Sequence, residues 1–320
     1  MRRAAALAVF PLLAAVAVAG CGSSSSSSSA AAASSDSYKS VTVSGTFNKA
    51  PKVTIPKETG TGALYTKTVI QGTGAKLTSS EGLIGNYVAY DWSGKTSKVL
   101  GSSYTQGAPS IFVGSLLPGL ETALVGQKLG SRVLAVIPPK DAFGTSGNSS
   151  EGIGAKDTLV FVVDVGSTFT TGSVAGTQAT NGGGALPTVT APAANSTAGP
   201  TIKIPAKTAA PKTLQVKPLI KGTGAVVKAG QDIAVQYTGV IWRTGKVFDS
   251  SWARNTPLTT VIGEGQVIKG WDTGLVGQTV GSRVLLVIPP ADGYGSAGAS
   301  QAGINGTDTL VFVVDILAAA

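Results

Sequence analysis

The sequence of 320 residues contains no histidine and only one cysteine. Without histidine, Ser-His-Asp and Cys-His catalysis, imidazole proton transfer and histidine metal sites are all excluded. A single cysteine excludes disulfides within the chain, CxxC redox chemistry and Cys-ligated zinc. We therefore expect an activity that needs no cofactor, no metal and none of the usual nucleophiles.

Charged residues are scarce as well, at 13%, whereas glycine is abundant with 43 residues. This composition is too apolar for a disordered chain and is typical of short strands joined by tight turns. The formal net charge is +9, but the lysines are scattered singly and no aromatic residues are interleaved with them. This pattern argues against a nucleic-acid partner.

The chain begins with a segment that is typical of protein export. Arg2 and Arg3 precede an apolar stretch, residues 4–19, which is short for a membrane span and contains Pro11. We predict a signal peptide over residues 1–20. A transmembrane anchor is the alternative interpretation.

The single cysteine follows this stretch directly. Val18-Ala19-Gly20-Cys21 resembles a bacterial lipobox, which implies cleavage before Cys21 and lipidation of that residue. Consecutive serines then begin a Ser/Ala-rich tether, which we place over residues 21–40. We expect a lipoprotein held by its lipid on the extracytoplasmic face of the cell membrane. A buried structural cysteine is the alternative.

The rest of the chain contains an internal repeat. The segments 130–134 and 157–164 return at 281–285 and 308–315 with one constant offset, so no insertion separates these blocks. We predict two domains, over residues 41–165 and 200–320, each large enough for its own core. Residues 166–199, rich in Gly, Ala, Thr and Pro, are predicted to link them.

Hydrophobic periodicity predicts mostly strands in each copy. Apolar residues alternate over 233–237 and 310–316, which is typical of half-buried antiparallel strands. Ile268, Trp271 and Leu275 instead have the spacing of one face of a short helix. The fold class predicted for each domain is therefore α+β, with an antiparallel sheet packed against one short helix.

The second copy carries a set of motifs in a specific order. They are Tyr237-Thr238-Gly239, Gly245-Lys246-Val247-Phe248-Asp249-Ser250-Ser251, Gly265-Gln266-Val267-Ile268-Lys269-Gly270-Trp271, Tyr294-Gly295 and Thr309-Leu310-Val311-Phe312. In this order and spacing, residues 213–317 resemble the FKBP-type peptidyl-prolyl cis–trans isomerases. The resemblance implies a curved antiparallel sheet wrapped on one short helix, and proline-containing polypeptides as substrates.

The resemblance also implies which residues form the proline pocket. The catalytic set carried over is Tyr237, Phe248, Asp249, Val267, Ile268, Trp271, Tyr294 and Phe312, and the substrate-binding set is Arg254, Leu258 and Ile304. Trp271 would be the floor, and the Ile268 N–H and the Tyr294 hydroxyl would hold substrate carbonyls. Leu258 replaces an aromatic residue that is usual there. Without the motifs, Trp271 and Phe312 would be interpreted as core and Asp249 as a turn residue.

The first copy departs from this pattern. Two pocket aromatics are retained, with Tyr90 matched to Tyr237 and Phe161 to Phe312. Four pocket residues are replaced: Leu100 stands for Phe248, Gly101 for Asp249, Leu120 for Trp271 and Phe143 for Tyr294. The corner at Gly114–Pro118 is also two residues shorter than Gly263–Lys269. We expect the first domain to share the fold but to have a degenerate pocket.

Together these features predict a peptidyl-prolyl cis–trans isomerase that assists folding of exported proteins, with its active site in the second domain. Macrolides of the rapamycin type are expected inhibitors. The alternative is a non-catalytic chaperone or peptide-binding lipoprotein, and a purely structural surface lipoprotein is a third hypothesis.

Overall fold

The computed structural model describes residues 36–114, 116–178 and 185–320. These residues form two compact units, one built mainly from the chain before Gly166 and the other mainly from the chain after it. The predicted signal peptide, Cys21 and most of the predicted tether lie outside the described residues. No helix in the described ranges is long and apolar enough to cross a membrane.

The described chain up to Thr170 forms a six-stranded antiparallel sheet and two short α-helices. Its elements are β1 (Thr42–Ser44), β2 (Lys52–Thr54), β3 (Tyr65–Ile70), β4 (Glu81–Ser93), β5 (Thr96–Ser102), α1 (Ser103–Gln106), β6 (Ser110–Phe112), α2 (Pro118–Leu124), β7 (Arg132–Ile137) and β8 (Thr158–Thr170). The strand order is β3-β7-β8-β4-β5, with β6 paired to β4. β1 and β2 form a separate antiparallel pair.

The second unit has the same topology. Its elements are β9 (Thr188–Thr190), β10 (Thr201–Lys203), β11 (Gln215–Ile220), β12 (Asp232–Ile241), β13 (Val247–Ser250), β14 (Leu258–Val261), α3 (Lys269–Leu275), β15 (Arg283–Ile288) and β16 (Leu310–Ala319). The order β11-β15-β16-β12-β13, with β14 paired to β12, repeats that of the first sheet, and β9 pairs with β10. The predicted α+β class is confirmed, as is its duplication.

Helix α3 packs against one face of the second sheet, here called the inner face. Trp271 and Leu275 are both buried there, as the predicted apolar face of the helix requires. Gly270 brings the helix backbone close to the strands, because a Cβ at this position would lie 2.6 Å from the Ile288 side chain. The helix therefore covers the inner core and holds Trp271 against it.

The opposite face of the second sheet, the outer face, is covered by the chain segment that precedes the sheet. Val189 of β9 and Ile202 of β10 are buried against this face. The sequence predicts a linker over residues 166–199, but nearly all of its described part, from Ser167, belongs to the second unit. The difference arises because a few apolar side chains of this Gly- and Thr-rich segment pack on the apolar outer face of the sheet.

A buried ion pair fastens this cover to the sheet. Arg283 donates to Asp315 at 2.6 and 2.7 Å, and both side chains are almost fully buried. The cover adds three bonds: Ser173 Oγ and Gln178 Oε1 accept from Arg283 at 3.1 and 3.4 Å, and the Val174 N–H donates to Asp315 at 3.1 Å. Such added bonds matter because a buried ion pair is stable only when its remaining polar atoms are satisfied.

The first unit has an equivalent cover. Tyr38 is buried against the outer face, where its ring lies 6.0 Å from that of Trp92. Arg132 and Asp164 form the corresponding ion pair, with donor–acceptor distances of 2.7 Å. The first unit therefore begins before residue 41, and residues 36–40 of the predicted tether are part of it.

Candidate active site

Four aromatic rings meet between the inner face of the second sheet and α3. The Trp271 ring lies 5.2 Å from that of Tyr237 and 5.3 Å from that of Phe312, nearly perpendicular to both. Phe248 is 5.4 Å from Phe312, again edge to face. Edge-to-face contacts are favoured by the ring quadrupoles, so the cluster forms a well-packed apolar floor.

The strand register explains why these rings can meet. Gly239 of β12 pairs with Phe312 of β16, and Asp249 of β13 pairs with the same glycine from the other side. A Cβ at position 239 would lie 2.8 Å from both the Phe248 and Phe312 rings. The glycine of the Tyr-Thr-Gly motif is therefore required for the two phenylalanines to approach each other.

The other apolar residues assigned to the pocket join the same cluster. Ile304 is buried within it, and Leu258, Val267 and Ile268 are partly buried against it. All the apolar residues that the resemblance assigns to the pocket are thus brought together. Leu258 pairs with Val235 of β12, which places it at the sheet edge.

A charged network lies at the rim of this cluster. The Tyr237 hydroxyl donates to Asp249, and Arg254 donates both to Asp249 and, at 2.8 Å, to the Tyr237 oxygen. The Arg254 guanidinium also lies 5.8 Å from the centre of the Tyr237 ring. Burial, followed by the bond to Asp249, raises the pKa of Tyr237, so its hydroxyl remains a donor. Asp249 and Arg254 therefore fix the Tyr237 ring and keep their own charges near solvent.

Three donors remain available at the pocket. Ile268 is the residue before α3, and its N–H donates to no acceptor among the described residues, while its carbonyl accepts the Trp271 N–H at 2.8 Å. Tyr294 is 41% exposed, and its pKa is raised by burial and then by the Asp249 carboxylate. Trp271 Nε1 is also buried without a hydrogen-bond partner in the described chain.

Two supporting residues were missed by sequence reasoning. Ser251 Oγ accepts the Tyr237 N–H at 2.8 Å, which fixes the strand that carries the tyrosine. The Asp272 carboxylate accepts two N–H groups from the corner before α3, at 2.6 and 2.9 Å. An acidic residue in the first turn of a helix after a glycine-rich corner is the signal that could have found Asp272.

The structure corrects one match between the two copies. Tyr87, rather than Tyr90, occupies the position of Tyr237, because its N–H donates to Ser103 Oγ at 2.9 Å as that of Tyr237 does to Ser251. Tyr90 instead packs with the outer-face cluster. Side chains alternate along a strand, so a shift of three residues moves the side chain to the other face of the sheet.

The remaining matches place altered side chains on an equivalent backbone. Gly101 pairs with Ala89 as Asp249 pairs with Gly239, and Leu120 is the third residue of α2 as Trp271 is of α3. Phe161 is only partly buried, unlike Phe312. The first pocket therefore lacks the acid and the indole floor.

The start of the helix is preserved despite the shorter corner. Leu117, before α2, has φ −57° and ψ 134°, close to the φ −60° and ψ 144° of Ile268. Its carbonyl accepts the Leu120 N–H at 2.9 Å, as that of Ile268 accepts the Trp271 N–H. The residue that precedes the helix therefore keeps the same conformation although the corner is two residues shorter.

The pocket of the second domain thus has an apolar floor and a few polar groups at its edge. This combination suits a compact apolar ring flanked by peptide carbonyls. In the described ranges, no group of three or more His, Cys, Asp or Glu side chains is placed to hold a metal ion.

Comparison with known proteins identifies the family. Residues 80–166 and 224–317, more than half of the chain, match the family model described as FKBP-type peptidyl-prolyl cis-trans isomerase. The chain belongs to this family. It is a peptidyl-prolyl cis–trans isomerase with two FKBP-type domains.

Individual FKBP-type proteins are similar to parts of the chain. It is 46% identical to the FK506-binding protein of Streptomyces anulatus over 34% of this chain and 87% of that protein. It is 43% identical to the FK506-binding protein of Neisseria meningitidis serogroup A over 33% of this chain and 94% of that protein. The crystal structure of AtFKBP13 is 36% identical, covers 35% of this chain and 96% of its own, and has a TM-score of 0.32.

Proposed function

We propose that the pocket of the second domain is the active site for prolyl isomerisation. The observation that carries this proposal is the four-ring cluster of Trp271, Tyr237, Phe248 and Phe312 beneath the Asp249 rim. The first domain lacks the tryptophan and the acid at equivalent positions. Catalysis is therefore assigned to one domain of the pair.

The chemistry requires no nucleophile. Rotation about an X–Pro bond breaks amide resonance, against a barrier of about 18–20 kcal/mol. The twisted amide is less dipolar than the planar one, because the nitrogen lone pair no longer delocalises into the carbonyl. An apolar pocket therefore favours the twisted state over both planar states, which is differential binding of the transition state. Each tenfold in rate requires about 1.4 kcal/mol of this preference.

The polar groups hold the peptide on either side of the bond that turns. The Ile268 N–H and the Tyr294 hydroxyl can each donate to a substrate carbonyl, which fixes one part of the peptide while the other rotates. The Asp249–Arg254 network keeps the Tyr237 ring in place as a wall of the pocket. Pre-organised contacts of this kind reduce the entropic part of the barrier.

The first domain favours a second, non-catalytic function. Its pocket keeps Tyr87 and a partly buried Phe161 on the inner face, but Gly101 and Leu120 provide neither a rim charge nor a flat floor. We infer that it binds apolar chain segments without accelerating rotation about proline bonds.

The cellular setting is proposed from the N-terminal sequence. Cys21 within Val18-Ala19-Gly20-Cys21 would be lipidated after cleavage, so that both domains act on exported proteins at the outer face of the cytoplasmic membrane. Mass spectrometry of the mature N-terminus should find a diacylglyceryl-modified Cys21. An unmodified terminus, or cleavage at another residue, would contradict the proposal.

Macrolide binding tests the assignment of the pocket. The relatives from Streptomyces and Neisseria are FK506-binding proteins, and we propose that this chain binds one such macrolide in its second domain. Titration calorimetry of the full chain should give one equivalent per chain. Trp271→Leu should abolish this binding, whereas Phe143→Ala, at the first-domain position matched to Tyr294, should leave it unchanged. Two equivalents, or full binding by Trp271→Leu, would place the site elsewhere.

A further inference from the structure

The corner before α3 is held by a single carboxylate. Asp272, in the first turn of α3, accepts the N–H of Gly263 at 2.6 Å and that of Gly265 at 2.9 Å. Both glycines are in the left-handed region, with φ of +81° and +75°. This conformation turns two amides of one short loop toward the same side chain.

The two bonds to Asp272 are the only hydrogen bonds that residues 263–267 make within the described part of the chain. Ile262, just before the corner, is fully buried, and Val267 and Ile268, just after it, pack on the pocket cluster. Both ends of the corner are therefore held by packing, and the Asp272 side chain sets the path of the backbone between them.

We propose that Asp272 is a positioning residue of the isomerase. It does not touch the substrate; it fixes the corner so that the Ile268 N–H and the Val267 side chain face the peptide in the pocket. This inference rests on the proposed function, in which the second-domain pocket is the active site. Fixing a donor within a fraction of an ångström is the kind of support on which catalytic geometry depends.

The described residues of the first domain show no such arrangement. The residue at the matching helix position is Glu121, which is exposed, and its corner is shorter by two residues. Asp272 is only partly exposed. The support therefore accompanies the pocket that carries the tryptophan and the acid, and not its altered counterpart.

A graded series of variants in the full chain tests this role. A carboxylate can accept both N–H groups, the amide oxygen of Asp272→Asn can accept one of them well, and Asp272→Ala accepts none. We expect kcat/KM for a proline peptide to fall about threefold in Asp272→Asn and about tenfold in Asp272→Ala. Thr273→Ala, an exposed neighbour in the same helical turn, is the matched control and should keep full activity.

Hydrogen exchange separates positioning from simple destabilisation. The amides of Gly263 and Gly265, which donate to Asp272, should exchange faster in Asp272→Ala than in Thr273→Ala, while core amides of β12 and β16 stay protected. The loss of kcat/KM should persist well below the melting temperature, where every variant is folded. A loss that disappears on cooling would show that Asp272 only stabilises the domain and would overturn the proposal.

The result can also distinguish this inference from the proposed function. If Trp271→Leu loses activity but Asp272→Ala equals Thr273→Ala, the positioning role is overturned and the active-site assignment stands. If Trp271→Leu keeps full activity, the proposed active site is wrong and the positioning role is overturned with it.

Discussion

At the residue scale, the two pockets differ in side chains that stand on equivalent backbone positions. Leu120 replaces Trp271 on the helix, and Gly101 replaces Asp249 at the rim. One replacement removes the flat floor, and the other removes the acceptor that orients the pocket tyrosine. Few changes therefore separate the pocket that we propose to be catalytic from its counterpart in the first domain.

A buried carboxylate is a further peculiarity of the first domain. Asp91 is only 3% exposed, and its Oδ1 has no hydrogen-bond partner in the described chain. Lys98 lies 3.4 Å from the other oxygen. Burial, and then the neighbouring Asp157, nevertheless raises the pKa of Asp91 above its ordinary value. The ionised form of Asp91 is therefore less favourable in the folded protein than in the unfolded chain.

This environment predicts the effect of Asp91→Asn. Because the folded-state pKa is raised, the carboxylate costs stability at pH values above that pKa, and the cost vanishes as pH falls below the ordinary value of 3.8. Asp91→Asn should raise the free energy of unfolding of the first domain by about 1 kcal/mol at neutral pH. Denaturant titration across pH should show this gain shrinking in acid.

A surface aspartate provides the control for that prediction. Asp141 pairs with Lys140 near solvent, so Asp141→Asn should change the free energy of unfolding by less than about 0.5 kcal/mol. A gain for Asp91→Asn that is absent at neutral pH, or that grows in acid, would contradict the account of Asp91.

At the element scale, strands and helices with a clear period could be predicted from the sequence. The apolar alternation over 233–237 and 310–316 lies within β12 and β16, and the spacing of Trp271 and Leu275 coincides with α3. Each of these elements buries a regular set of side chains, so its pattern carries the signal.

The covers of the outer faces could not be predicted in this way. β9 and β10 have three residues each, and each buries only its central side chain. So short a strand shows no period, and its burial depends on a sheet surface formed by distant parts of the chain. The match of Tyr90 to Tyr237 was wrong for a related reason. Tyr87 and Tyr90 lie three residues apart, so either tyrosine could be aligned with Tyr237 from the sequence alone.

The cover of the second sheet should contribute measurably to stability. Ile202→Ala removes a side chain buried against the outer face and should lower the free energy of unfolding by about 2–4 kcal/mol. Thr201→Ala, exposed on the same strand, should change it by less than about 0.5 kcal/mol. Equal effects in a denaturant titration would show that the segment does not pack on the sheet.

At the scale of the whole molecule, the chain combines two domains of one fold with unequal pockets. The motif spacing was sufficient to predict which side chains gather in the second pocket, because the family arrangement orders them along the sequence. The support from Asp272 could not be predicted, because its two bonds depend on the path of the corner rather than on the spacing of the motifs.

The central claim is that isomerisation occurs in the second domain, and kcat/KM of the full chain on one proline peptide tests it most directly. Trp271→Leu, which gives the second pocket the floor of the first, should lower kcat/KM by about tenfold or more. Asp249→Val should lower it as well, without disturbing the core. Phe143→Ala, at the first-domain position matched to Tyr294, should leave kcat/KM within about twofold of the unmodified chain. Full activity in Trp271→Leu and Asp249→Val, with a loss in Phe143→Ala, would contradict the assignment.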